Sequence, residues 1–266
     1  MQEPSSNKDR PHWTRSTIAP LRNVAEFCEL IELCGGRAAN LPGMALFYGP
    51  SGFGKSSAAA YATGKYNALH IQLQSLWTAK KFARAMAIEA GLSPRGSAAD
   101  MVEQVSEYLA TTQRPLVIDE ADYLLEKANM INIPRDIFEA SQAPVILIGE
   151  ENMPGKLKRW ERLDGRLLAR VPAQPGTRTD VDHLAKIYAP GVEIPGDLKD
   201  RIHRESTHSI RRMATNLHRV WDYANSRSLA VVTSEDFGPD AFPSGAAPAP
   251  RRVLVSETNR AARRAS

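Results

Sequence analysis

The sequence is poor in cysteine and contains no long apolar run. Only two of its 266 residues are cysteines, Cys28 and Cys34. A disulfide framework or a cysteine-based metal site would need more partners, so we interpret both as ordinary buried thiols. No run of 18 apolar residues occurs, and the polar first ten residues lack the apolar stretch of a secretory signal. These absences predict a cytoplasmic protein without a membrane span.

The net charge of the chain is concentrated at its C-terminal end. The formal net charge is +4, and residues 241–266 carry all of this excess, since five arginines there face a single acid, Glu257. A basic tail can contact DNA phosphates. We interpret it instead as a solvated, disordered end, so that any DNA binding by the folded part requires local basic patches. The five arginines are Arg251, Arg252, Arg260, Arg263 and Arg264.

Short apolar segments separated by helical patterns occupy residues 15–175. A chain of this length has room for one α/β domain and a small appendage. Apolar strands that alternate with helices predict a parallel sheet covered by helices on both faces. The predicted strands are residues 44–48, 68–73, 115–120, 144–148 and 167–171. The predicted helices cover residues 18–34, Ser57 to about Gly64, the segment around Phe82 that stops at Gly91, and a segment that begins at Ser97, where Asp100 completes a capping box.

The pattern changes at residues 172–176, where the sequence Pro-Ala-Gln-Pro-Gly suits a hinge. Beyond it the strands largely cease, and helical periodicity fits residues 178–188, 196–205 and 208–228. The Pro- and Ala-rich segment from residue 243 is typical of an unstructured tail. We therefore predict four parts: a disordered N-terminal segment (1–15), an α/β nucleotide-binding domain (16–176), a helical lid (177–240) and a disordered basic tail (241–266).

The most informative pattern is Gly49-x-x-x-x-Gly54-Lys55-Ser56, which lies between an apolar strand and a helix. Its glycines let backbone N–H groups point at phosphate oxygens, and the start of the following helix adds partial positive charge. Lys55 is expected to contact the β- and γ-phosphates, and the Ser56 hydroxyl is expected to bind magnesium. The pattern predicts ATP and Mg²⁺ as ligands. The residues expected around the nucleotide are Gly49, Pro50, Ser51, Gly52, Phe53, Gly54, Lys55, Ser56 and Ser57.

Two adjacent acids end the third predicted strand, at Asp119 and Glu120. Asp119 is expected to hold magnesium together with Ser56, and Glu120 to polarise the attacking water as the catalytic base. Two acids at a strand end can also be a solvated turn. Small-molecule kinases of the P-loop type usually lack a base at this position, so the glutamate favours water as the phosphate acceptor.

The order of these motifs resembles that of AAA+ ATPases. A phosphate loop, an acidic pair, a further strand, a basic stretch and a helical lid with Ser209-Ile-Arg-Arg212 follow one another in residues 18–240. The layout is also similar to the B protein of Mu-like transposable phages and related transposon target-selection ATPases. The resemblance implies an AAA+ P-loop fold, with a parallel sheet between helices and a small helical lid.

Several further site residues are implied by that resemblance alone. AAA+ proteins place a polar sensor after the fourth strand; here Glu150 and Glu151 stand where Asn or Thr is usual, and Asn152 is the nearest candidate. An arginine before the fifth strand acts on the ATP of a neighbouring subunit, and Arg166 is the first candidate, with Arg162 the second. Arg211 is similar to the lid arginine that senses the γ-phosphate, although it also fits a solvated helix position.

The segment after the second strand contains the candidate DNA contacts Trp77, Lys80 and Lys81. In the ATPases that this chain resembles, residues here line a channel for DNA. Two lysines at the start of a helix are unfavourable for the helix dipole, which suggests another use for them. Trp77 in the core and the two lysines on a solvated face remain the alternative. Phosphate contacts would bind duplex DNA without sequence preference.

Four functions are compatible with these patterns. The first is an ATPase of DNA transposition, from a phage or mobile element, that assembles as a ring or helical homo-oligomer on target duplex DNA and recruits or activates a transposase. The second is an ATPase that loads helicases or acts as an initiator; such proteins often carry an extra DNA-reading domain, and no convincing helix-turn-helix occurs outside the lid. The third is a small-molecule P-loop kinase, and the fourth a nucleotide-gated interaction switch without turnover.

Overall fold

The structure is a computed structural model that describes residues 19–236 and residue Phe242. The predicted N-terminal segment 1–15 lies outside the described residues, and so does the predicted basic tail 241–266 apart from Phe242. Among the described residues no helix combines the length and the apolar character that a membrane span requires.

The core is a five-stranded sheet with the order β2-β3-β4-β1-β5, and every pair of neighbouring strands is parallel. The predicted parallel sheet is therefore confirmed, and each strand end either agrees with the prediction or differs from it by one residue. The strands are β1 (Met44–Tyr48), β2 (Leu69–Gln72), β3 (Leu116–Asp119), β4 (Val145–Gly149) and β5 (Leu167–Pro172).

The central strands are mainly apolar because both faces of the sheet are covered, and Asp119 is the acidic exception at the end of β3. All four residues of β3 and all five of β4 are buried, whereas β5, at the edge of the sheet, is partly exposed. Side chains alternate between two apolar clusters: Ile146 and Ile148 lie in one, and Val145 and Leu147 in the other. Because successive residues of a strand belong to different clusters, the sheet lies between two separate apolar cores.

Eleven helices surround this sheet in the described part of the chain. α1, α2, α9, α10 and α11 contribute to the cluster of Ile146, and the six helices from α3 to α8 to the cluster of Leu147. The helices are α1 (Arg22–Gly35), α2 (Lys55–Tyr66), α3 (Ala79–Glu89), α4 (Ala98–Thr112), α5 (Asp122–Leu125), α6 (Ile133–Ser141), α7 (Met153–Leu157), α8 (Glu161–Asp164), α9 (Arg178–Tyr188), α10 (Gly196–Glu205) and α11 (Ile210–Arg227).

Most predicted helix limits agree with the structure, and the capping box at α4 is present. Ser97 Oγ accepts a hydrogen bond from the Asp100 N–H at 3.2 Å, and Asp100 Oδ2 accepts one from the Ser97 N–H at 2.7 Å. The predicted end of α2 near Gly64 is wrong. The helix continues to Tyr66 and ends at Asn67, whose φ of 51° breaks it, because an isolated glycine lowers helix stability without ending the helix.

α9, α10 and α11 follow β5 and match the three predicted helical segments closely. Val181 of α9, Leu198 of α10 and Met213 of α11 are buried in the same cluster as Ile146. The helices thus share a core with the face of the sheet that carries α1 and α2. The division of the chain into an α/β domain and a lid at residues 176 and 177 stays a prediction.

Candidate functional site

The candidate site lies where the strands of the parallel sheet end. The loop of residues 49–54 follows β1, Glu120 follows β3 and Glu150 follows β4, so all three segments meet at the carboxyl edge of the sheet. The Gly49 N–H donates to the Gly149 carbonyl at 3.3 Å, which joins the loop to the end of β4. Ligands of open α/β sheets bind at this edge.

The loop of residues 49–54 curls around the side chain of Lys55. Gly52 and Gly54 have φ values of 86° and 83°, which favour glycine. The Lys55 ammonium donates to the carbonyls of Gly49 at 2.6 Å and Pro50 at 2.9 Å. α2 begins directly at Lys55, and its first turn contains no acid. The N–H groups at this helix start therefore have no acidic competitor for an anion.

Ser56 and Asp119, predicted from separate motifs, lie in direct contact. The Ser56 hydroxyl donates to Asp119 Oδ2 at 2.8 Å, and the Glu120 N–H donates to Asp119 Oδ1 at 2.8 Å. Asp119 is only 2% exposed, so both of its oxygens are held in place. A hydroxyl and a carboxylate oxygen are hard ligands that suit Mg²⁺, which binds to one or two protein oxygens together with phosphates. The residues present thus fit a magnesium ion.

Glu120 has an unusual backbone and an unusual acidity. Its φ is 55°, in the left-handed region that residues with side chains rarely adopt. Burial raises the pKa of its carboxyl, and the neighbouring carboxylate of Asp119 raises it further, while Lys55 opposes the shift. Strained backbone and perturbed acidity together are typical of functional sites.

Lys55 is also shifted from its usual acidity. Burial lowers the pKa of its ammonium, and the carboxylates of Asp119, Glu120, Asp122 and Glu150 oppose this shift. The side chain therefore sits in a partly desolvated place that is surrounded by acids. A partly buried cation bound to two carbonyls can exchange them for stronger anionic acceptors.

A cavity of about 1310 Å³ connects this charged region to the helices after β5. Its charged end is lined by Lys55, Ser56, Asp119, Glu120 and Glu150. Its other end is mainly apolar, which suits a flat organic ring system. No motif marked this second end in the sequence, since its residues are scattered over three distant segments. They are Ala19, Leu21, Leu184, Ile187, Tyr188, Pro190, Ala214 and Trp221.

The start of α11 contacts the loop of residues 49–54, and Arg211 lines the cavity, while its role as a γ-phosphate sensor stays a prediction. The Arg211 N–H donates to the Gly52 carbonyl at 3.0 Å, and its guanidinium donates to Ser51 Oγ at 3.3 Å. Ser209 Oγ also approaches the Gly52 carbonyl, at 3.4 Å. A Cβ on Gly52 would lie 2.5 Å from Ser209 Oγ, so this contact requires a glycine.

At the predicted sensor position after β4, a glutamate rather than the candidate asparagine lines the cavity. Asn152 is exposed at the start of α7 and does not line the cavity, whereas Glu150 does. The sensor role of Asn152 stays a prediction, and the geometry gives it little support. Sequence reasoning noted Glu150 as a departure from the family pattern but assigned it no role.

The two candidate arginines lie at the opposite edge of the sheet from Lys55. The Arg166 carbonyl accepts a hydrogen bond from Met44, at the start of β1, and its guanidinium pairs with Glu139 at 2.7 Å. β1 spans about 17 Å, at roughly 3.3 Å per residue. Arg162, in the short helix α8, is exposed and forms no ion pair with the other described residues. Neither arginine is placed to reach the phosphate loop of its own chain.

The loop after β2 brings the three candidate DNA contacts together. Trp77 is half-buried, and the Lys81 ammonium lies 5.7 Å from the centre of its ring. Lys80 and Lys81 are exposed in the first turn of α3. Within the described part of the chain neither lysine has an acidic partner. Leu76, at the tip of this loop, is 91% exposed.

Sheet order, phosphate loop and acidic pair together define the class. The molecule has the fold of the AAA+ P-loop NTPases, and residues 39–157 match the family described as an AAA domain. No curated protein matches the chain in sequence.

Three similar solved structures are archaeal. The ORC2 protein of Aeropyrum pernix, in ADPNP–ADP complexes, has a TM-score of 0.67 and 13% identity over 86% of this chain and 69% of its own. The ORC1 protein of Aeropyrum pernix in complex with DNA has a TM-score of 0.57 and 20% identity, over 85% and 67%. Cdc6p from Pyrobaculum aerophilum has a TM-score of 0.60 and 16% identity, over 85% and 68%. The likeness shows a shared fold.

Proposed function

We propose that this protein is an ATPase that binds ATP with magnesium at the carboxyl edge of its sheet and hydrolyses it to ADP and phosphate. The observation that carries the proposal is the contact of Ser56 with Asp119 beside the loop that surrounds Lys55. Two distant motifs supply one cation and two oxygen ligands in the same place. The match of residues 39–157 to an AAA domain supports the proposal.

Each side chain has a separate role in this proposal. Lys55 exchanges its bonds to the Gly49 and Pro50 carbonyls for oxygens of the β- and γ-phosphates. Ser56 and Asp119 would hold a magnesium ion, which would neutralise part of the phosphate charge. Arg211, which reaches the cavity from α11, contacts the terminal phosphate.

Glu120 orients the attacking water and accepts its proton. The water oxygen forms a bond to the terminal phosphorus while the bond from phosphorus to the bridging oxygen of ADP breaks. The raised pKa of Glu120 suits a base, because proton transfer is most efficient when the pKa of the base lies nearer the operating pH.

We propose that hydrolysis needs a neighbouring subunit, because Arg162 and Arg166 lie at the edge of the sheet opposite Lys55. Arg162 is the better candidate, since it has no ion pair with the residues that the structure describes, whereas Arg166 is bound to Glu139. An assay of mixed variants tests this. Arg162→Ala and Glu120→Gln proteins should each be inactive, and their mixture should recover activity, since the Glu120→Gln subunit supplies the arginine. A mixture that stays inactive contradicts a role in trans.

We further propose that the ATP-bound protein assembles on duplex DNA through the loop after β2. Lys80 and Lys81 offer charges that are not neutralised by acids of the described chain. The Leu73 N–H, at the base of this loop, donates to the Asp119 carbonyl at 3.0 Å. A change in the loop on DNA binding thus has a direct path to the catalytic acids.

An initiator or loader role is the function that the comparisons favour. Three of the similar folds are ORC and Cdc6 proteins, and one of them was solved with DNA. A role in transposition, with a transposase as partner, is the second candidate, and it is supported only by the order of motifs along the chain. Electron microscopy of the ATP-bound protein on duplex DNA separates the two: continuous filaments favour target selection, and discrete rings or single complexes favour loading.

The ATPase rate with and without duplex DNA tests the proposed function. We expect phosphate release in the presence of magnesium and an increase of that rate when DNA is added. A phosphorylated small acceptor in place of free phosphate would indicate a kinase. Tight ATP binding without turnover, under all conditions, would indicate a nucleotide-gated switch.

A further inference from the structure

Glu150 brings a third carboxylate to the charged end of the cavity. It follows β4 directly and lines the cavity with Lys55, Asp119 and Glu120. Its backbone is fixed from two sides: its N–H donates to Asp122 Oδ2 at 2.6 Å, and its carbonyl accepts from the Met153 N–H at 3.1 Å. The side chain is exposed to the cavity and lacks a hydrogen bond or ion pair with the rest of the described chain.

The Glu150 carboxylate acts on both central groups of the site. It opposes the lowering of the pKa of Lys55, and it contributes to the raised pKa of Glu120. Glu150 is the weakest of the charges named for each group, and its place in the lining of the same cavity puts it in the region of the ammonium and the base. Glu150 therefore faces the same space as the ammonium and the base.

The charges that line this end of the cavity are not balanced. Three carboxylates, of Asp119, Glu120 and Glu150, stand against two cations, Lys55 and Arg211. A magnesium ion held by Asp119 would offset the charge of that carboxylate and of phosphate oxygens. Glu150 is then the acid without an assigned counter-ion or a role in the proton transfer.

We infer that Glu150 is a specificity-determining residue that weakens binding of the nucleoside triphosphate relative to the diphosphate. The inference rests on the proposed function, since it takes Lys55, Asp119 and Glu120 to mark the place of the terminal phosphate. Repulsion between like charges falls with distance, so the carboxylate disfavours the terminal phosphate more than the two inner phosphates. The protein thereby retains a bound diphosphate more easily, and replacement of the diphosphate by the triphosphate becomes the step that limits reloading of the site.

Binding of ADP and of a non-hydrolysable ATP analogue to the full chain, by calorimetry with magnesium, tests this inference. Glu150→Gln should tighten binding of the analogue about tenfold, the order expected for one incompletely screened charge, and change ADP binding less than twofold. Glu150→Lys should extend the trend in the same direction. Glu151→Gln is the matched control, because it removes the same charge from an exposed neighbour that does not line the cavity; it should change neither constant.

An unchanged ratio of the two dissociation constants in Glu150→Gln would overturn the inference, and so would weaker binding of the analogue. Equal tightening of both nucleotides, or the same effect in Glu151→Gln, would reduce Glu150 to a general contribution to surface charge and also overturn it. If neither the natural protein nor the variants bind any nucleotide, the proposed function itself fails. Thermal melting of each variant verifies that it is folded.

Discussion

Glu120 has a backbone and a charge that are costly for the fold. A left-handed conformation in a residue with a side chain costs about 1–3 kcal/mol and persists at functional sites, and the φ of Glu120 is 55°. Its ionised carboxyl is disfavoured by burial and by Asp119. A substitution of the Glu120 side chain should therefore lower the catalytic rate and at the same time raise the stability of the fold.

Glu120→Gln should lower the rate of ATP hydrolysis about 100-fold or more, since a positioned base contributes roughly 10²–10⁴-fold. Binding of ATP should persist, because Lys55, Ser56 and Asp119 are untouched. Phosphate release and filter-bound ATP measure the two effects. Glu126→Gln, an exposed acid just after α5, is the control. Loss of ATP binding in Glu120→Gln would contradict the assignment of Glu120 as a base.

The raised pKa of Glu120 should also be visible in the pH dependence of the protein's stability. A carboxyl whose pKa is raised in the folded state binds its proton more tightly there, so stability falls as the pH rises from the usual range of glutamate through the raised pKa. Glu120→Gln removes this loss, and without nucleotide its Tm at neutral pH should be higher by about 1–3 °C. Melting curves of both proteins at a series of pH values test this. A lower Tm for the variant would contradict the sign.

At the scale of elements, the junction between α11 and the phosphate loop connects the two ends of the site. The Arg211 N–H and the Ser209 hydroxyl both reach the Gly52 carbonyl. The same helix supplies Ala214 and Trp221 to the apolar end of the cavity. A nucleotide in the cavity would therefore contact α11 with its phosphate end and with its ring end. The position of α11 should affect the affinity of the protein for the nucleotide.

Gly52→Ala should weaken ATP binding about tenfold or more and lower the Tm. Its Cβ would lie 2.5 Å from Ser209 Oγ, at a φ of 86° that alanine rarely adopts. Gly64→Ala is the matched control: it lies inside α2 with open space around it, so it should stabilise the protein by about 0.4–1 kcal/mol. Calorimetry with ATP and thermal melting measure both. A Gly52→Ala protein with unchanged ATP affinity would contradict the claim that the contact between α11 and the phosphate loop supports ATP binding.

Whether a helix or strand could be predicted from the sequence depended on its length and on its pattern of apolar residues. β3 and β4 were predictable because apolar residues buried on both faces form short continuous runs. α9 and α11 were predictable from helical periodicity. α5, α7 and α8 have four or five residues each, which is too short for a period to be visible. Ser56 and Asp119 were predictable because each belongs to a local motif, whereas Leu21, Leu184 and Trp221 meet only through tertiary packing.

At the scale of the whole molecule, two surfaces are proposed to contact other molecules: the edge of the sheet near Arg162 and Arg166, for a neighbouring subunit, and the loop after β2 with the start of α3, for DNA. The loop after β2 presents Lys80 and Lys81 at the carboxyl edge of the sheet, and Leu76 projects beside them. Lys127 donates to the carbonyls of Ser75 and Trp77, which joins the loop to the segment after α5. Lys80 and Lys81, in the first turn of α3 beside this loop, have no acidic partner among the described residues and can contact phosphates.

A double variant, Lys80→Ala with Lys81→Ala, should weaken binding to duplex DNA and lower the salt dependence. The slope of log K against log salt should fall by about 2, because each phosphate contact contributes roughly 0.9. Lys65→Ala is the control, since this lysine is exposed but paired with Glu32. Fluorescence anisotropy over a series of salt concentrations measures the slope. An unchanged slope would place the DNA contacts elsewhere.

The central claim is that the loop around Lys55 and the Ser56–Asp119 pair form a site for ATP with magnesium. Equilibrium binding of ATP with magnesium to the natural protein and to Lys55→Ala tests it most directly. We expect retention of ATP by the natural protein and a loss of at least about 30-fold in the variant, since truncating one partner of a buried charge pair costs about 2 kcal/mol or more. A natural protein that does not bind ATP, or a variant that binds it equally well, would contradict the account.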